Sequence, residues 1–372
     1  MKGTVIVIIA ILIAALIASG QSPTAAQSPQ QVEEAPSDLS AYLDSLVKES
    51  KLSGVVLVAK DGVTLASKAA GVANKATGAA IDLNTKFNLG SMNKMFTAVA
   101  IAQLAQAGKL SFTDTVAKHL PDYPNKDAAQ KVTIHHLLTH TSGMGVYWGE
   151  KFAAQREKLL TVSAHLPLFA SEPLSFPPGE KFQYSNSGFM LLGGIIEKVS
   201  GKDYYSYVRE HIYKPAGMND TGFYEPGKEI PNLAVGYTRM SPQGQPQEEI
   251  RDNNSLREVK GGPAGGGFST APDLVKFHQA LVGYKLLDKT HTELVTTGKV
   301  EGPRGMGKYG YGFGDRTADG KHSVGHNGGG PGIAANLEMF PELGYTAVAL
   351  MNSDPPTLMP IVKGVRDRIP AK

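Results

Sequence analysis

The chain contains no cysteine among its 372 residues. This absence excludes disulfide bonds, thiolate metal sites, a cysteine nucleophile and a lipidated N-terminal cysteine. A large excess of charge of one sign is also missing, because 37 Lys and Arg residues stand against 34 Asp and Glu residues. A net charge of +3 predicts no basic surface for nucleic acid, so we expect no nucleic-acid partner.

Several common catalytic and ligand-binding motifs are absent as well. No Gly-x-Ser-x-Gly sequence occurs, which excludes the nucleophile elbow of an α/β-hydrolase, and no His-Glu-x-x-His sequence provides zincin ligands. The run Gly328–Gly332 is not followed by Lys-Ser/Thr, so it is not a P-loop. His136 and His140 lack a third ligand at a suitable spacing, which favours structural roles. We therefore expect no metal and no organic cofactor.

Residues 1–20 have the pattern of a signal peptide. The apolar run Val5–Ala18 has the length of a signal-peptide core and is short for a membrane span. Small residues at Ala18 and Gly20 fit a cleavage site, and an uncleaved N-terminal anchor is the alternative. Both interpretations predict export to the periplasm or the outside, with membrane contact only if the segment is retained. Residues 21–37, rich in Gln, Pro, Ser and Ala, are predicted to be a disordered linker.

Hydrophobic periodicity predicts one α+β domain over residues 38–372, with strands at both ends and helices between them. The predicted strands are Gly54–Ala59, Val63–Ala69, Tyr309–Phe313, Ser323–Asn327, Ala334–Met339 and Thr346–Met351. The predicted helices are Asp38–Lys51, Ser91–Ala107, Thr133–Thr139, Asn186–Ser200, Asp203–Tyr213, Thr270–Val282 and Pro360–Arg368. We expect a sheet built from both termini, in an α/β part of residues 38–90 and 283–372. Residues 91–282 then form a mainly helical second region.

The sequence Ser91-Met92-Asn93-Lys94 opens one of these predicted helices. A separation of three residues places the serine and the lysine on one helix face. A serine hydroxyl is a weak nucleophile until a neighbouring base takes its proton, and a neutral lysine one turn away can do so. The start of the helix favours developing negative charge and disfavours a positive charge on Lys94.

Two further patterns follow in the order that a serine acyl-transfer site needs. Tyr184-Ser185-Asn186 precedes a predicted helix, and His326-Asn327-Gly328 ends a predicted strand. Each pattern alone is weak evidence. Ser45 and Lys48 repeat the serine–lysine spacing in the middle of a helix, and Tyr123-Pro124-Asn125 repeats the second pattern in a loop. Only the combined set, on a helix, a loop and a strand, is specific.

With these three patterns, the chain resembles the serine hydrolase family of class C β-lactamases, related D-alanyl-D-alanine carboxypeptidases, D-aminopeptidases and family VIII esterases. The resemblance covers most of residues 40–355. Further segments similar to the family are Leu137–Gly143 (LLTHTSG), Lys214–Met218 (KPAGM) and Pro263–Thr270 (PAGGGFST). The resemblance implies a β-lactamase/transpeptidase-like α+β fold, in which an antiparallel sheet is flanked by helices and the active site lies in a groove between the two regions.

The resemblance also implies roles for individual residues. Ser91 is expected to be the acylated nucleophile, Lys94 its base or proton relay, and Tyr184 a second proton shuttle whose phenolate is favoured by nearby cations. Asn186 is expected to bind the substrate amide and hold Lys94. The backbone N–H groups of Ser91 and Gly329 are expected to form the oxyanion hole. Because residue 329 is a glycine, the strand edge is expected to approach the acyl group closely, and Gly328 is expected to contact the substrate.

The third pattern departs from that of the β-lactamase members, which carry Lys-Thr-Gly where this chain has His326-Asn327-Gly328. A histidine is mostly uncharged near neutral pH, since its ordinary pKa is about 6.5. We expect His326 to contact substrate, to attract carboxylates weakly, and to attract them more strongly as pH falls. The departure favours an esterase or a D-Ala-D-Ala peptidase acting on small esters or peptides containing D-amino acids. A true β-lactamase and a catalytically silent cell-wall peptide-binding module remain alternatives.

The loop from Met144 to Lys158 carries Tyr147 and Trp148, the only tryptophan of the chain. These aromatic side chains are candidates for the rim of the substrate pocket, and ordinary packing is the alternative. The sequence does not rank the substrates or indicate an oligomeric state.

Overall fold

The structure is a computed structural model that describes residues 37–225, 228–241, 243–303 and 307–371. The predicted signal peptide or anchor, residues 1–20, lies outside the described residues. So does the predicted linker, residues 21–37, except for Ser37, which begins the first helix. Over the described ranges, we find no helix with both the length and the apolar character that crossing a membrane requires.

The chain alternates helices and strands, with most helices in the middle. The α-helices are α1 (Ser37–Lys48), α2 (Asn93–Gln106), α3 (Val116–His119), α4 (Lys126–Lys131), α5 (Ile134–Leu138), α6 (Glu150–Gln155), α7 (Val162–His165), α8 (Asn186–Ser200), α9 (Tyr204–Val208), α10 (Lys214–Ala216), α11 (Ala271–Val282), α12 (Lys289–Thr296) and α13 (Leu358–Arg368). Short 3₁₀ turns cover Gly90–Met92, Arg156–Lys158, Leu166–Leu168 and Pro355–Thr357, and a π-helical turn covers Arg209–Tyr213.

The strands fall into one large sheet and three small pairs. They are β1 (Gly54–Lys60), β2 (Val63–Ala70), β3 (Val72–Asn74), β4 (Ala79–Ala80), β5 (Phe87–Asn88), β6 (Tyr237–Met240), β7 (Pro246–Asp252), β8 (Phe268–Ser269), β9 (Val300–Glu301), β10 (Lys308–Tyr309), β11 (Gly314–Ala318), β12 (Lys321–Gly330), β13 (Ile333–Phe340) and β14 (Tyr345–Met351). Among these, eight strands pair in the order β2-β1-β14-β13-β12-β11-β10-β9, and each neighbouring pair in that order is antiparallel.

The two chain ends meet in the middle of this sheet. Strand β1 pairs with β14 over its whole length, from Gly54 opposite Met351 to Lys60 opposite Tyr345. Strand β12 pairs with β13 from Val324 opposite Met339 to its end. The predicted sheet from both termini is therefore confirmed, while the division into an α/β part and a helical part stays a prediction.

Each face of the sheet is covered by a separate apolar core. Alternate side chains of β1, β13 and β14, such as Leu57, Leu337 and Val348, pack with α2, α8 and α11 in the larger core. The intervening side chains, such as Val58 and Phe340, pack with α1 and α13. The larger core includes side chains from the start of α2 and from β12, the two elements that carry the first and third sequence patterns.

Local signals account for several element boundaries. In the hairpin between β1 and β2, Asp61 and Gly62 have φ of +48° and +82°, the left-handed conformation that such a tight turn requires. The side chain of Ser185 accepts a hydrogen bond from the backbone N–H of Gly188 and so caps α8. Thr270 caps α11 in the same way. These N-terminal caps place the first residues of α8 and α11 where the sequence predicts them.

The predicted strand Tyr309–Phe313 is wrong. Only Tyr309 belongs to β10, and the chain then turns through Gly310–Gly312 before β11 begins. Gly312 has φ of +73°, which is incompatible with a strand, and a Cβ there would meet the Lys94 carbonyl oxygen at 2.7 Å. The alternation of aromatic residues with glycine imitates a strand pattern, but the glycines serve a tight turn against α2.

Candidate active site

Ser91 lies in the short 3₁₀ turn Gly90–Met92, which leads directly into α2. Gly90 precedes it with φ of +50°, a conformation that favours glycine. The Ser91 side chain is partly exposed, whereas the side chains of the first turn of α2 are buried. Ser91 is therefore the accessible side chain at the start of a buried helix.

Lys94 is fully buried, and its ammonium or amine group has three oxygen neighbours. Its Nζ lies 2.5 Å from the carbonyl oxygen of Ala264, 2.8 Å from Asn186 Oδ1 and 3.2 Å from Ser91 Oγ. Burial lowers the pKa of Lys94 to about 7, and the negative charge of Glu258 opposes that shift. Desolvation, rather than the helix start, is thus the main reason that the amine becomes available near neutral pH.

The three neighbours of Lys94 determine what its neutral amine can do. A neutral amine has two N–H bonds and one lone pair. The carbonyl oxygens of Ala264 and Asn186 can only accept hydrogen bonds, so they engage both N–H bonds. The lone pair is then left for the third neighbour, the hydroxyl of Ser91, which can donate its proton. The geometry suits a base that removes the Ser91 proton.

Tyr184 shares a side-chain hydrogen bond with Ser91, and its ring lies 4.7 Å from Lys94 Nζ. Burial raises the pKa of the Tyr184 hydroxyl well above its usual value. The expectation that nearby cations favour its phenolate is therefore wrong, because burial dominates and the interaction that opposes it is the hydrogen bond with Ser91. A protonated Tyr184 is suited to donate a hydrogen bond or a proton to oxygen at Ser91.

Asn186 is the first residue of α8, and the cap at Ser185 fixes where it points. The Ser185 hydroxyl also donates to the carbonyl oxygen of Gly145, at 2.8 Å. These contacts hold the Tyr184–Asn186 segment on one side of Lys94. The second sequence pattern thus lies beside the first, although 92 residues separate Lys94 from Asn186.

The glycines of the third pattern allow β12 to lie directly against the Ser91 turn. A Cβ on Gly328 would come within 1.8 Å of the Leu89 carbonyl oxygen and 3.1 Å of the Ser91 backbone nitrogen. A Cβ on Gly90 would come within 2.9 Å of the Gly329 nitrogen. The backbones of Ser91 and Gly329 therefore lie side by side, as an oxyanion hole made from their two N–H groups requires.

His326 is buried, and both of its ring nitrogens have partners inside the protein. Its Nδ1 lies 2.5 Å from the Asn327 carbonyl oxygen, and its Nε2 lies 2.9 Å from the hydroxyl of Tyr309. Burial and the nearby Lys94 charge lower the pKa of His326 to about 3. The expected gain in carboxylate binding at lower pH is therefore wrong, because His326 stays neutral over the range in which enzymes are assayed. The predicted substrate contact also has no free ring nitrogen in this arrangement.

Several residues near the site were not assigned roles from the sequence. Ala264 and its neighbours fold over the Ser91 turn, where the Gly266 N–H bonds the Gly90 carbonyl oxygen and the Gly267 N–H bonds Asn93 Oδ1. The only available signal was the resemblance of segments 137–143 and 263–270 to the family, which gives no roles.

Glu258 is a buried carboxylic acid close to this machinery. The hydroxyl of Tyr147 donates a hydrogen bond to Glu258 Oε1. Burial raises the pKa of Glu258 to about 7, while Tyr147 and the charge of Lys94 oppose the shift. The site therefore contains an acid and an amine that both change charge near neutral pH.

The loop around Trp148 forms part of the wall of a cavity. Tyr147 is buried and stacks on Trp148, whose side chain is 41% exposed. Both rings line a cavity of about 520 Å³ whose wall also includes Ser187. Tyr147 is thus both packed and hydrogen-bonded, while Trp148 has the exposure that a rim residue needs.

The other candidate sequence patterns occupy structural positions. The Ser45 hydroxyl donates to the Tyr42 carbonyl oxygen within α1. Asn125 caps α4, and Tyr123 is buried in the core. His136 closes a capping box at the start of α5, and the described ranges contain no group of three His, Asp or Glu side chains suited to a metal ion.

Comparison with known proteins identifies relatives over nearly all of the described chain. The Beta-lactamase family model matches residues 39–368. Penicillin-binding protein 4* of Bacillus subtilis (strain 168) is 31% identical over 334 residues, which cover 86% of this chain and 72% of that protein. Esterase EstB of Burkholderia gladioli is 34% identical over 220 residues, 55% of this chain and 55% of the esterase.

A solved structure extends the likeness to the fold. The penicillin-binding protein from Bacillus halodurans is 33% identical, with a TM-score of 0.78, over 87% of this chain and 99% of that chain. The family and the α+β fold expected from the sequence are both confirmed by these matches.

Proposed function

Because this chain belongs to the beta-lactamase family and is a serine hydrolase, we propose that it hydrolyses small esters through an acyl-enzyme on Ser91. Peptides or amides containing D-amino acids are the second substrate class. The observation that carries the proposal is the buried Lys94 amine, whose two N–H bonds are engaged by carbonyl oxygens while its lone pair faces Ser91.

Acylation begins when Lys94 takes the hydroxyl proton of Ser91. The freed Oγ attacks the substrate carbonyl carbon, and negative charge develops on the carbonyl oxygen. The backbone N–H groups of Ser91 and Gly329 stabilise that charge, a contribution typically worth about 10²–10³ in rate for each donor. Collapse of the intermediate breaks the bond to the leaving group and leaves the acyl group on Ser91.

The leaving group needs a proton, and Tyr184 is suited to supply it. Its hydroxyl is protonated at neutral pH because burial raises its pKa, and it shares a hydrogen bond with Ser91. The proton held by Lys94 then restores the Tyr184 hydroxyl, so acylation consumes no net proton. In the second half-reaction, water takes the place of the leaving group and the same groups transfer protons in the reverse sense.

The preference for esters over β-lactams rests on His326. A lysine in this place could attract a substrate carboxylate, whereas a buried neutral imidazole gives up that long-range attraction. The likeness to esterase EstB supports an ester substrate. The likeness to penicillin-binding protein 4* supports the peptide-like class.

We also propose that the protein is exported to the periplasm or beyond the cell. The supporting feature is the apolar run Val5–Ala18 with small residues after it. N-terminal sequencing of the protein recovered from the periplasm or culture medium tests this proposal. A processed N-terminus near Gly20 supports a signal peptide, and an intact N-terminus in the membrane fraction supports an anchor. Retention in the cytoplasm contradicts export.

Covalent labelling tests the proposed nucleophile. We expect a fluorophosphonate to add one label to the peptide containing Ser91, and we expect Ser91→Ala to lose both the label and the hydrolysis of p-nitrophenyl esters. Ser45→Ala is the matched control, because Ser45 has the same spacing to a lysine but lies in α1. A labelled and active Ser91→Ala protein contradicts the proposal. A folded wild type without any label or turnover favours the silent peptide-binding module.

A substrate panel tests the proposed specificity. We expect turnover of p-nitrophenyl esters to exceed that of D-Ala-D-Ala peptides, and nitrocefin to be the poorest of the three substrates. Nitrocefin turnover comparable to that of the ester at pH 8 supports a true β-lactamase instead.

A further inference from the structure

Two buried histidines and one buried tyrosine form a hydrogen-bonded row beside the candidate active site. The hydroxyl of Tyr309 lies 3.2 Å from Nε2 of His140 and 2.9 Å from Nε2 of His326. His140 follows α5, Tyr309 is in β10 and His326 is in β12, so the row joins three distant parts of the chain. We call these three side chains the His–Tyr–His row.

Backbone groups at its two ends fix the direction of every hydrogen bond in the row. The Ser185 N–H donates to His140 Nδ1 at 3.0 Å, and an amide N–H can only donate. The Asn327 carbonyl oxygen lies 2.5 Å from His326 Nδ1, and a carbonyl can only accept. His140 must therefore carry its hydrogen on Nε2 and donate to Tyr309. The Tyr309 hydroxyl must donate to His326 Nε2.

Each of the four hydrogen bonds of the row therefore contains one hydrogen, and neither histidine ring has a free nitrogen that could accept a further proton. A further proton on His326 would set an N–H against the hydroxyl hydrogen of Tyr309. That hydroxyl cannot turn towards His140, because His140 Nε2 already carries a hydrogen. The row therefore holds both histidines neutral, and it leaves His326 no ring N–H with which to bind a substrate.

We propose that Tyr309 is a positioning residue that fixes His326 as a neutral Nδ1–H imidazole bound to the Asn327 carbonyl. The third pattern then presents to the substrate its backbone groups and no side-chain cation. The row also supports the second pattern, since the His140 ring packs against the Tyr184 ring with their centroids 4.2 Å apart, and His140 Nδ1 accepts the hydrogen bond of the Ser185 N–H. The consequence of the row for substrate choice rests on the proposed function. The proton positions in the row do not depend on it.

The charges around the row favour the same state. Lys94 and Tyr184 face it from α2 and from the segment before α8, and the charge of Lys94 disfavours a cation at either histidine. The other charged side chains that line the cavity beside His326 are Lys308, Arg316, Glu338 and Arg366. Glu338 and Arg366 pair with each other at 2.6 Å, so the remaining neighbours are cationic.

Nitrogen NMR of ¹⁵N-histidine-labelled protein tests the proton positions directly. The His326 signals are assigned by their loss in His326→Gln. In the wild type we expect His326 to be the Nδ1–H tautomer, with both ring signals unchanged between pH 5 and pH 9. An Nε2–H tautomer, or a titration of His326 within that range, overturns the proposal, and this result does not depend on whether a Tyr309 variant folds.

The variant Tyr309→Phe removes only the hydroxyl and keeps the ring. We expect the His326 Nε2 signal to move towards that of a nitrogen without a hydrogen bond and to become sensitive to pH at the acidic end of the range. Tyr311→Phe is the matched control, because the Tyr311 hydroxyl makes the same type of bond, at 2.9 Å, to His135 Nδ1. Unchanged His326 signals in Tyr309→Phe, or equal changes in both variants, overturn the proposal.

Kinetics of the same two variants test the positioning role. The variant loses the hydrogen bonds to both His140 and His326, and the bond to His326 is the one that positions the third pattern. We expect Tyr309→Phe to lower kcat for a p-nitrophenyl ester about threefold to tenfold, the effect of that one neutral hydrogen bond, with little change in KM. Tyr311→Phe should retain the wild-type kcat. Equal losses in the two variants contradict positioning and indicate a general loss of stability. Failure of the fluorophosphonate to label wild-type Ser91 contradicts the proposed function instead, and it leaves the NMR result to decide the row.

Discussion

Replacing Gly328 by alanine tests how closely the third pattern must approach the Ser91 turn. The new Cβ would lie 1.8 Å from the Leu89 carbonyl oxygen, whereas real Cβ atoms stay at least 3.0 Å from such neighbours. The backbones must therefore separate by about 1 Å. The atoms closer than this limit are the carbonyl oxygen and carbonyl carbon of Leu89, at 1.8 Å and 2.8 Å, and both belong to the backbone, so no side chain can rotate away to make room.

The separation of backbones should act mainly on catalysis. The backbones of Ser91 and Gly329 lie on opposite sides of this contact, so its opening would move apart the two N–H groups of the proposed oxyanion hole. A misplacement of about 1 Å at a reacting group can cost on the order of 10²-fold. Loss of one oxyanion donor costs about 10²–10³. We expect kcat/KM of Gly328→Ala for a p-nitrophenyl ester to fall by at least about 10²-fold.

Gly330→Ala is the control for this experiment, because it lies two residues further along the same strand. Its Cβ would meet only the Ile333 side chain, at 3.7 Å, which is an ordinary contact. We expect nearly wild-type kcat/KM for this variant. The assay pairs ester hydrolysis with the rate of fluorophosphonate labelling and with thermal unfolding. A folded Gly328→Ala protein within threefold of the wild type would refute the close-approach argument.

Further predictions concern the charges of the site. Lys94 acts as a base only when neutral, and its pKa is about 7, so kcat/KM should fall tenfold per pH unit below pH 7. Glu258→Gln removes a negative charge that favours the ammonium form, so the midpoint of this profile should move to lower pH; an unchanged or higher midpoint contradicts the coupling. Replacing Lys94 by methionine or Tyr184 by phenylalanine should each cost orders of magnitude in acylation, and the double variant little more, whereas additive losses would show independent action. His326→Lys places a cation where the wild type has a neutral imidazole, so it should raise the ratio of nitrocefin to ester turnover, and a ratio equal to that of the wild type contradicts a role for charge at this position.

Local chemistry explains which parts of the fold could be predicted. Ser185 and Thr270 are capping residues directly before apolar periodic segments, and α8 and α11 begin where those caps place them. The turn after Tyr309 was predicted as a strand, because a window of a few residues contains the aromatic alternation but not the contact between Gly312 and Lys94. A short stretch of sequence shows only local preference, whereas this turn is determined by packing against α2, a helix more than 200 residues earlier in the chain.

The same limit applies to the site. The spacing of Ser91 and Lys94 is visible in the sequence because both lie within one helical turn. The partners that determine their state are far away along the chain: Ala264 is 170 residues from Lys94. The raised pKa of Tyr184 and the neutral state of His326 follow from burial, which a list of motifs does not contain. Motifs therefore indicate the candidate reacting groups, and the fold determines their protonation.

The position of β14 between β1 and β13 has a consequence for how the protein is made. Gly54 pairs with Met351, so the native pairing of β1 with β14 cannot form until about 300 further residues have been synthesised. At roughly 5–20 residues per second, a ribosome needs on the order of 15–60 s to supply that strand. During this interval the β1–β2 hairpin exposes an apolar edge on which strands of other chains can add. The central sheet can close only after synthesis is nearly complete, so we expect newly made chains to depend on a chaperone that shields β1 until β14 arrives.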